Sequence, residues 1–135
     1  MAVLVLTDAV ITVNSVTLSD HANSVTLTYE LDAVESTSFG STGHKFVSGL
    51  QNNTCDIEFL QDFAASSVEA TIYSLVGTST TVVIKPTSSA VSSTNPSYTL
   101  ASTYLASHTP VAGSVGEMAM TSLSFTGGTL TKATS

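Results

Sequence analysis

Between residues 25 and 32, Val25, Leu27, Tyr29 and Leu31 alternate with Thr26, Thr28, Glu30 and Asp32. That period of two predicts a strand with one apolar face and one acidic-polar face. The alternation returns at 54–59, where Cys55, Ile57 and Phe59 oppose Thr54, Asp56 and Glu58. Shorter runs at 9–13 and 16–18 read as strands around the turn-prone pair Asn14-Ser15. Residues 81–85 give another strand, ended by Pro86, and 98–105 and 117–126 give the last long ones. In the final run Met118 and Met120 share one phase while Leu123 and Phe125 share the other, which predicts a β-bulge near Thr121.

One helix is signalled. Ser66-Ser67-Val68-Glu69 has the form of a capping box, in which the serine accepts an orphan backbone N–H and the glutamate reaches back. Val68, Ile72, Leu75 and Val76 then share one face, and Gly77 stands where a left-handed residue ends a helix. About ten residues is too short a helix to persist alone in water, so it must lie against the sheet. Residues 35–49, rich in Gly, Ser and Thr, read as a long mobile hairpin or loop, and 127–135 read as a short tail after Gly127-Gly128. The expected fold is all-β: a mostly antiparallel sandwich or half-barrel with one short helix, forming a single domain over 1–135. Its core is expected to hold Leu27, Tyr29, Ile57, Phe59, Ile72, Leu75, Val82 or Val83, and Phe125.

Charge changes the picture more than length does. The chain carries ten acidic residues against three lysines (Lys45, Lys85, Lys132) and no arginine, and only 10% of its residues are charged, where about 25% is usual. Its surface must therefore be built largely from Ser, Thr, Ala and Asn. Short uncharged side chains lose little rotamer entropy when buried, so such a surface favours an assembly subunit over a freely diffusing enzyme. Three scattered lysines and a net charge of −7 exclude the basic stripe that nucleic-acid binding needs. No apolar run is long enough to span a membrane. The start, Met1 to Leu6, is apolar but lacks a basic flank and is cut short by Asp8, so no secretory leader is expected. The Asn52-Asn53-Thr54 sequon then carries no meaning.

Catalytic and metal chemistry find no support in the sequence. Nucleophilic catalysis needs a base beside the nucleophile, and no Gly-x-Ser-x-Gly elbow, P-loop or dinucleotide fingerprint occurs. His21, His44 and His108 sit in polar loops and read as exposed. Cys55 is the only cysteine, so no intrachain disulfide is possible, and a lone thiol within a strand reads as a small buried hydrophobe. No cofactor is expected. Glu30 and Asp32, with Asp56 and Glu58, could form a glycosidase-like carboxylate set, but each pair also repeats as the polar face of a solvated strand. If the two strands are neighbours, the four carboxylates make an acidic patch that repels nucleic acid.

Three stretches resemble the major tail tube proteins of long-tailed (siphovirus-type) bacteriophages. They are 23–32 running into Thr37-Ser38-Phe39-Gly40; Gly49-Leu50 with 59–78; and Asn95-Pro96-Ser97-Tyr98 followed by 113–119. With the strands between them they cover roughly residues 9–126. The resemblance implies six copies closing into a ring, inner strands joining in one barrel, and rings stacking through loops and termini into a tube that carries the genome. It implies a virion tail location, assembly in the host bacterial cytoplasm, and other tail proteins as partners. DNA would only pass through, with no sequence-specific binding and no membrane. On this reading Glu30, Asp32, Asp56 and Glu58 line the lumen. Phe39, His44, Lys45 and Phe46 belong to a loop that orders on assembly, with the two phenylalanines as anchors in a neighbour. The family's loop after Phe-Gly often carries an Asp and an Arg, whereas here it reads Ser41-Thr42-Gly43-His44-Lys45, so the inter-ring ion pairs of that pattern do not carry over. Two alternatives remain: another virion β-protein, for decoration or tail completion, and a secreted carbohydrate-binding module. The second expects an aromatic platform, and this chain has no tryptophan.

Overall fold

The computed structural model describes residues 7–63 and 68–134. Among these residues ten strands form in chain order: β1 (Val10–Val13), β2 (Val16–Thr17), β3 (Ala22–Thr28), β4 (Leu31–Glu35), β5 (Phe46–Gln51), β6 (Thr54–Leu60), β7 (Ser79–Lys85), β8 (Ser97–Leu105), β9 (Met120–Thr126) and β10 (Thr129–Ala133). Helix α1 (Val68–Ile72) lies between β6 and β7 and tightens into a 3-10 turn, Tyr73–Leu75. Eight strands make one antiparallel sheet in the order β2-β1-β7-β8-β9-β6-β3, with β10 paired to β8. The remaining two, β4 and β5, make a separate hairpin.

The large sheet curls so that both halves face one core. Ile11 and Val13 on β1, Cys55, Ile57 and Phe59 on β6, Val82 and Ile84 on β7, and Leu123 and Phe125 on β9 belong to one buried cluster. Val68, Ile72 and Leu75 join it from the helical segment. The alternation of β6 is read directly in its burial, since each of its three buried residues is two positions from the next. The tight β1–β2 turn is made by Asn14 and Ser15, both at positive φ (50° and 68°), the conformation that suits the twist of a two-residue hairpin.

Three expectations are corrected. Tyr29 is 60% exposed, because β3 ends at Thr28 and Tyr29 falls in the link to β4. Leu27 is half-buried against the core, and of the valine pair Val82 is the buried one. Val76 is exposed, because the helical segment ends at Leu75 and Val76 is already extended. Ser66 and Ser67 of the capping box lie outside the described residues.

The bulge is not at Thr121. Residues 120–126 pair with β6 without interruption, and Thr121 is buried in phase with Leu123 and Phe125. Met118 precedes the strand and is 67% exposed, so its phase is irrelevant. The extra residue is Ser102 on β8, at φ +58°, where the β7–β8 register shifts. It moves the buried side from Leu100 to Thr103 and Leu105.

The expected tail is also a strand. β9 and β10 run along β8 in one register, from Leu105 opposite Phe125 to Ser97 opposite Ala133. Gly127 and Gly128 interrupt that path at φ +78° and +89°. A Cβ on Gly128 would stand 2.4 Å from the Ala101 carbonyl oxygen and 3.0 Å from the Thr103 nitrogen, whereas one on Gly127 would meet nothing within 4 Å. The glycine corner nests against the β8 bulge, and only Gly fits at 128. Gly127→Ala is expected to cost about 1–2 kcal/mol for its φ alone. Gly128→Ala must also displace backbone and is expected to cost clearly more, which urea unfolding of the two variants measures.

Candidate functional site

The β4–β5 hairpin projects as its own two-stranded sheet. Val34 pairs with Val47, Ala33 with Ser48 and Glu35 with Phe46, with a register shift between Leu31 and Ala33. Strand alternation puts Asp32, Val34, Val47 and Gly49 on one face, and Ala33, Glu35, Phe46, Ser48 and Leu50 on the other. Gly49 lacks a Cβ where one would lie 3.0 Å from a Val34 methyl, so the valine leans over it. Both faces carry apolar side chains in the open: Val34 is 49% exposed, Val47 54%, Phe46 59% and Leu50 81%. A two-stranded hairpin is marginal alone in water, and apolar groups on both sides leave no solvent face.

Of the two readings of 35–49, hairpin or loop, the structure has the hairpin, with a connecting loop over 36–45 and strand from Phe46 onward. Glu35 ties the loop's ends: its carboxylate lies 2.6 Å from His44 Nδ1 and accepts from the Thr37 hydroxyl at 2.9 Å. These bonds, His44 first, hold the Glu35 carboxyl below its ordinary value. The Thr37 hydroxyl oxygen in turn accepts the Lys45 backbone N–H at 2.9 Å. Phe39, beyond this closure, is fully exposed.

The hairpin's root is fixed by Asn53, whose residue is wholly buried. Its Oδ1 accepts the Glu30 backbone N–H at 3.1 Å, and its Nδ2 donates to Gln51 Oε1 at 2.8 Å and to the Gly128 carbonyl at 3.2 Å. Its own carbonyl accepts from Gly127 N–H at 2.8 Å. Gln51 Oε1 accepts Leu130 N–H at 3.0 Å. One amide thus joins the hairpin to the glycine corner, as a buried amide must when each of its groups needs a partner.

The four carboxylates do not share one strand face. Asp56 and Glu58 lie on the outer face of β6, opposite Thr26 and Ser24 of β3, and Ser122 and Ser124 continue that face on β9. The two strands are neighbours, as the patch required. Glu30 and Asp32 lie past the end of β3, at the hairpin root and on β4.

Sequence reasoning missed Asn53 and the surroundings of His21. His21 Nδ1 is 2.9 Å from Asp20 Oδ1, and Nε2 is 2.8 Å from Asp62 Oδ2. A neutral imidazole would aim a lone pair at one carboxylate, so the geometry calls for the doubly protonated ring. The Asp20 and Asp62 hydrogen bonds raise its pKa above the ordinary 6.5. The sequence shows Asp20 beside His21, but nothing in it reveals Asp62 across the fold. His108 is half-buried, and burial lowers its pKa; among the described residues its Nε2 is without a partner near a cleft of about 380 Å³ with Tyr73, Val76 and Pro110. Cys55 is fully buried, and burial pushes its thiol up to about 12, which leaves it inert. Among the described residues no three His, Cys, Asp or Glu side chains gather to hold a metal, and no helix is long and apolar enough to cross a membrane.

A chain of the sheath–tube complex of an extracellular contractile injection system (PVC) superposes with a TM-score of 0.71 at 9% identity, covering 98% of this chain and 93% of that one. The fold is a tail-tube fold. A chain of the anti-feeding prophage tube terminating cap matches with a TM-score of 0.72 at 11% identity over 100% and 93%. A chain from the tail of an empty gene transfer agent particle, refined with C6 symmetry, matches with 0.54 at 14% over 85% and 83%. No protein-family model matches the sequence. No curated protein matches it either.

Two outcomes test the geometry. Asn53→Ala strands the Glu30 N–H and the Gly128 carbonyl, and is expected to lower unfolding stability by about 2–4 kcal/mol, read by chemical denaturation. The raised pKa of His21 means its stabilisation is complete below about 6.5 and is lost as pH rises through the raised value. Thermal midpoints should therefore fall over that interval, and His21→Gln should remove this fall.

Proposed function

We propose that this chain is a structural subunit of a phage-type tail tube, self-assembling into six-membered rings that stack into a hollow conduit for DNA. The observation that carries the reading is the β4–β5 hairpin, with Val34 and Val47 exposed on one face and Phe46 and Leu50 on the other. A two-faced apolar hairpin suits insertion between two neighbours rather than rest against one surface. The tail-tube fold and the C6 symmetry of one matched tail support the same reading. Exposed sheet edges and apolar patches invite association, and a closed ring directs that tendency into one product.

The Ser/Thr-rich outer face of β3, β6 and β9 is the surface we assign to the lumen. It carries Asp56 and Glu58 and no lysine, and Glu30 and Asp32 extend the acidic set towards the hairpin. Repeated around a ring, these carboxylates make belts that repel passing phosphates over roughly 8–10 Å. The virion tail is the corresponding location, with other tail proteins at the two ends of the tube.

The hairpin reading has a direct test. Val34→Asp with Val47→Asp places charges on an exposed face, so the monomer should fold with an unchanged unfolding midpoint. Two buried apolar contacts become buried charges on assembly, and the assembly concentration should rise about 100-fold or more. Sedimentation velocity with negative-stain microscopy reads it. Tubes formed by the double variant at the wild-type concentration would contradict the role.

A further inference from the structure

Two apolar features of the chain, one convex and one concave, have no partner among the described residues. The convex one is Phe39, fully exposed at 108% on the 36–45 loop. Among the described residues, the hollow beside it is lined by Thr37, Ser38 and Phe39 itself. The concave one is a cleft of about 490 Å³ between the inner side of β3 and the opposite half of the sheet, walled by Val25, Leu27, Tyr29, Ile84, Tyr98 and Leu130.

We propose that Phe39 of one copy seats in this cleft of a second copy. The proposal rests on the assembly reading above and names the surfaces that meet. A cleft of several hundred Å³ with apolar and aromatic walls is the size that takes a drug-sized apolar group, and a phenylalanine ring with its flanking residues falls within it. The cleft explains why Leu27 is only half-buried and Tyr29 is exposed in the single chain: their apolar surface faces the seat. Knob and hole are different surfaces, so the contact is head-to-tail and repeats from copy to copy, where a self-matching contact would stop at a pair.

Area and charge agree with a second copy as occupant. Phe39 together with one face of the hairpin exposes on the order of 400 Å², about half of the ~800 Å² that a stable interface buries on each partner. The charged group on the cleft wall is Lys85, whose ammonium donates to the Ser89 carbonyl at 3.1 Å. The hairpin brings Asp32 and Glu35 with a single lysine, Lys45, so charge does not oppose the approach.

The test uses two variants made separately, Phe39→Cys and Tyr98→Cys, mixed in the full chain and oxidised. Native Cys55 is fully buried and stays silent. The proposal expects a disulfide-linked dimer containing one of each, formed in the mixture and by neither variant alone. It also expects Phe39→Ser to keep the monomer's unfolding midpoint while raising the assembly concentration about tenfold or more. Wild-type assembly without the mixed disulfide, and with Phe39→Ser assembling equally well, overturns the docking and leaves the tube reading standing. Disulfide between Phe39→Cys copies alone also overturns it. A mixed disulfide with only small closed oligomers in the microscope supports the docking and removes the tube. A cleft filled by residues 1–6 of its own chain, or by a small apolar molecule, gives no mixed product.

Discussion

The side chain of Asn53 holds together parts of the fold that no strand ladder joins. It is buried between a projecting hairpin and a glycine corner, and it satisfies groups of both: Glu30 and Gln51 on one side, Gly128 on the other. A buried amide left half-paired would cost more than an apolar residue in its place, so the corner and the hairpin root are specified together. The corner exists because Gly128 alone can lie against the Ser102 bulge. Through that sequence of contacts a distortion in β8 sets the position from which the hairpin leaves the domain.

The division between core and assembly surface follows from the same arrangement. Inside the curl, β1, β6, β7, β8 and β9 place alternate residues into one apolar cluster sealed by α1. Outside it, Ser and Thr cover the sheet, and exposed apolar groups stand on the hairpin and its loop (Val34, Phe39, Phe46, Val47 and Leu50), with others at Phe63, Tyr73, Val111, Val115 and Met118. A chain with so few charges has little else to keep those groups from associating, which is consistent with a subunit whose surface is meant to be covered.

Much of the fold was legible because its strands have one wet and one dry face. Cys55, Ile57 and Phe59 could be placed from alternation alone, and Val68, Ile72 and Leu75 from helical spacing. The break after Thr28 could not, because Tyr29, Glu30, Leu31 and Asp32 keep alternating after the strand has left its sheet; the hairpin repeats the pattern with no core beneath it. The β8 bulge did leave a trace, since Leu100 and Leu105 are out of phase, but the methionines near 120 gave a louder and misleading one. Gly127-Gly128 looks the same whether it ends a structure or bends it. At the site, Phe39 and Phe46 stood out as apolar residues in a polar loop. Asn53 and the Asp62 partner of His21 did not, because their roles depend on residues many positions away.

The central claim is that the exposed hairpin joins copies of this chain into stacked rings. Cryo-electron microscopy of the purified wild-type protein at assembly concentration tests it most directly. The account predicts a six-fold tube in which Val34, Phe46, Val47 and Leu50 lie between neighbouring subunits and the Asp56–Glu58 face borders the channel. A protein that stays monomeric at every concentration, or a tube whose hairpins stand free in solvent, would contradict it.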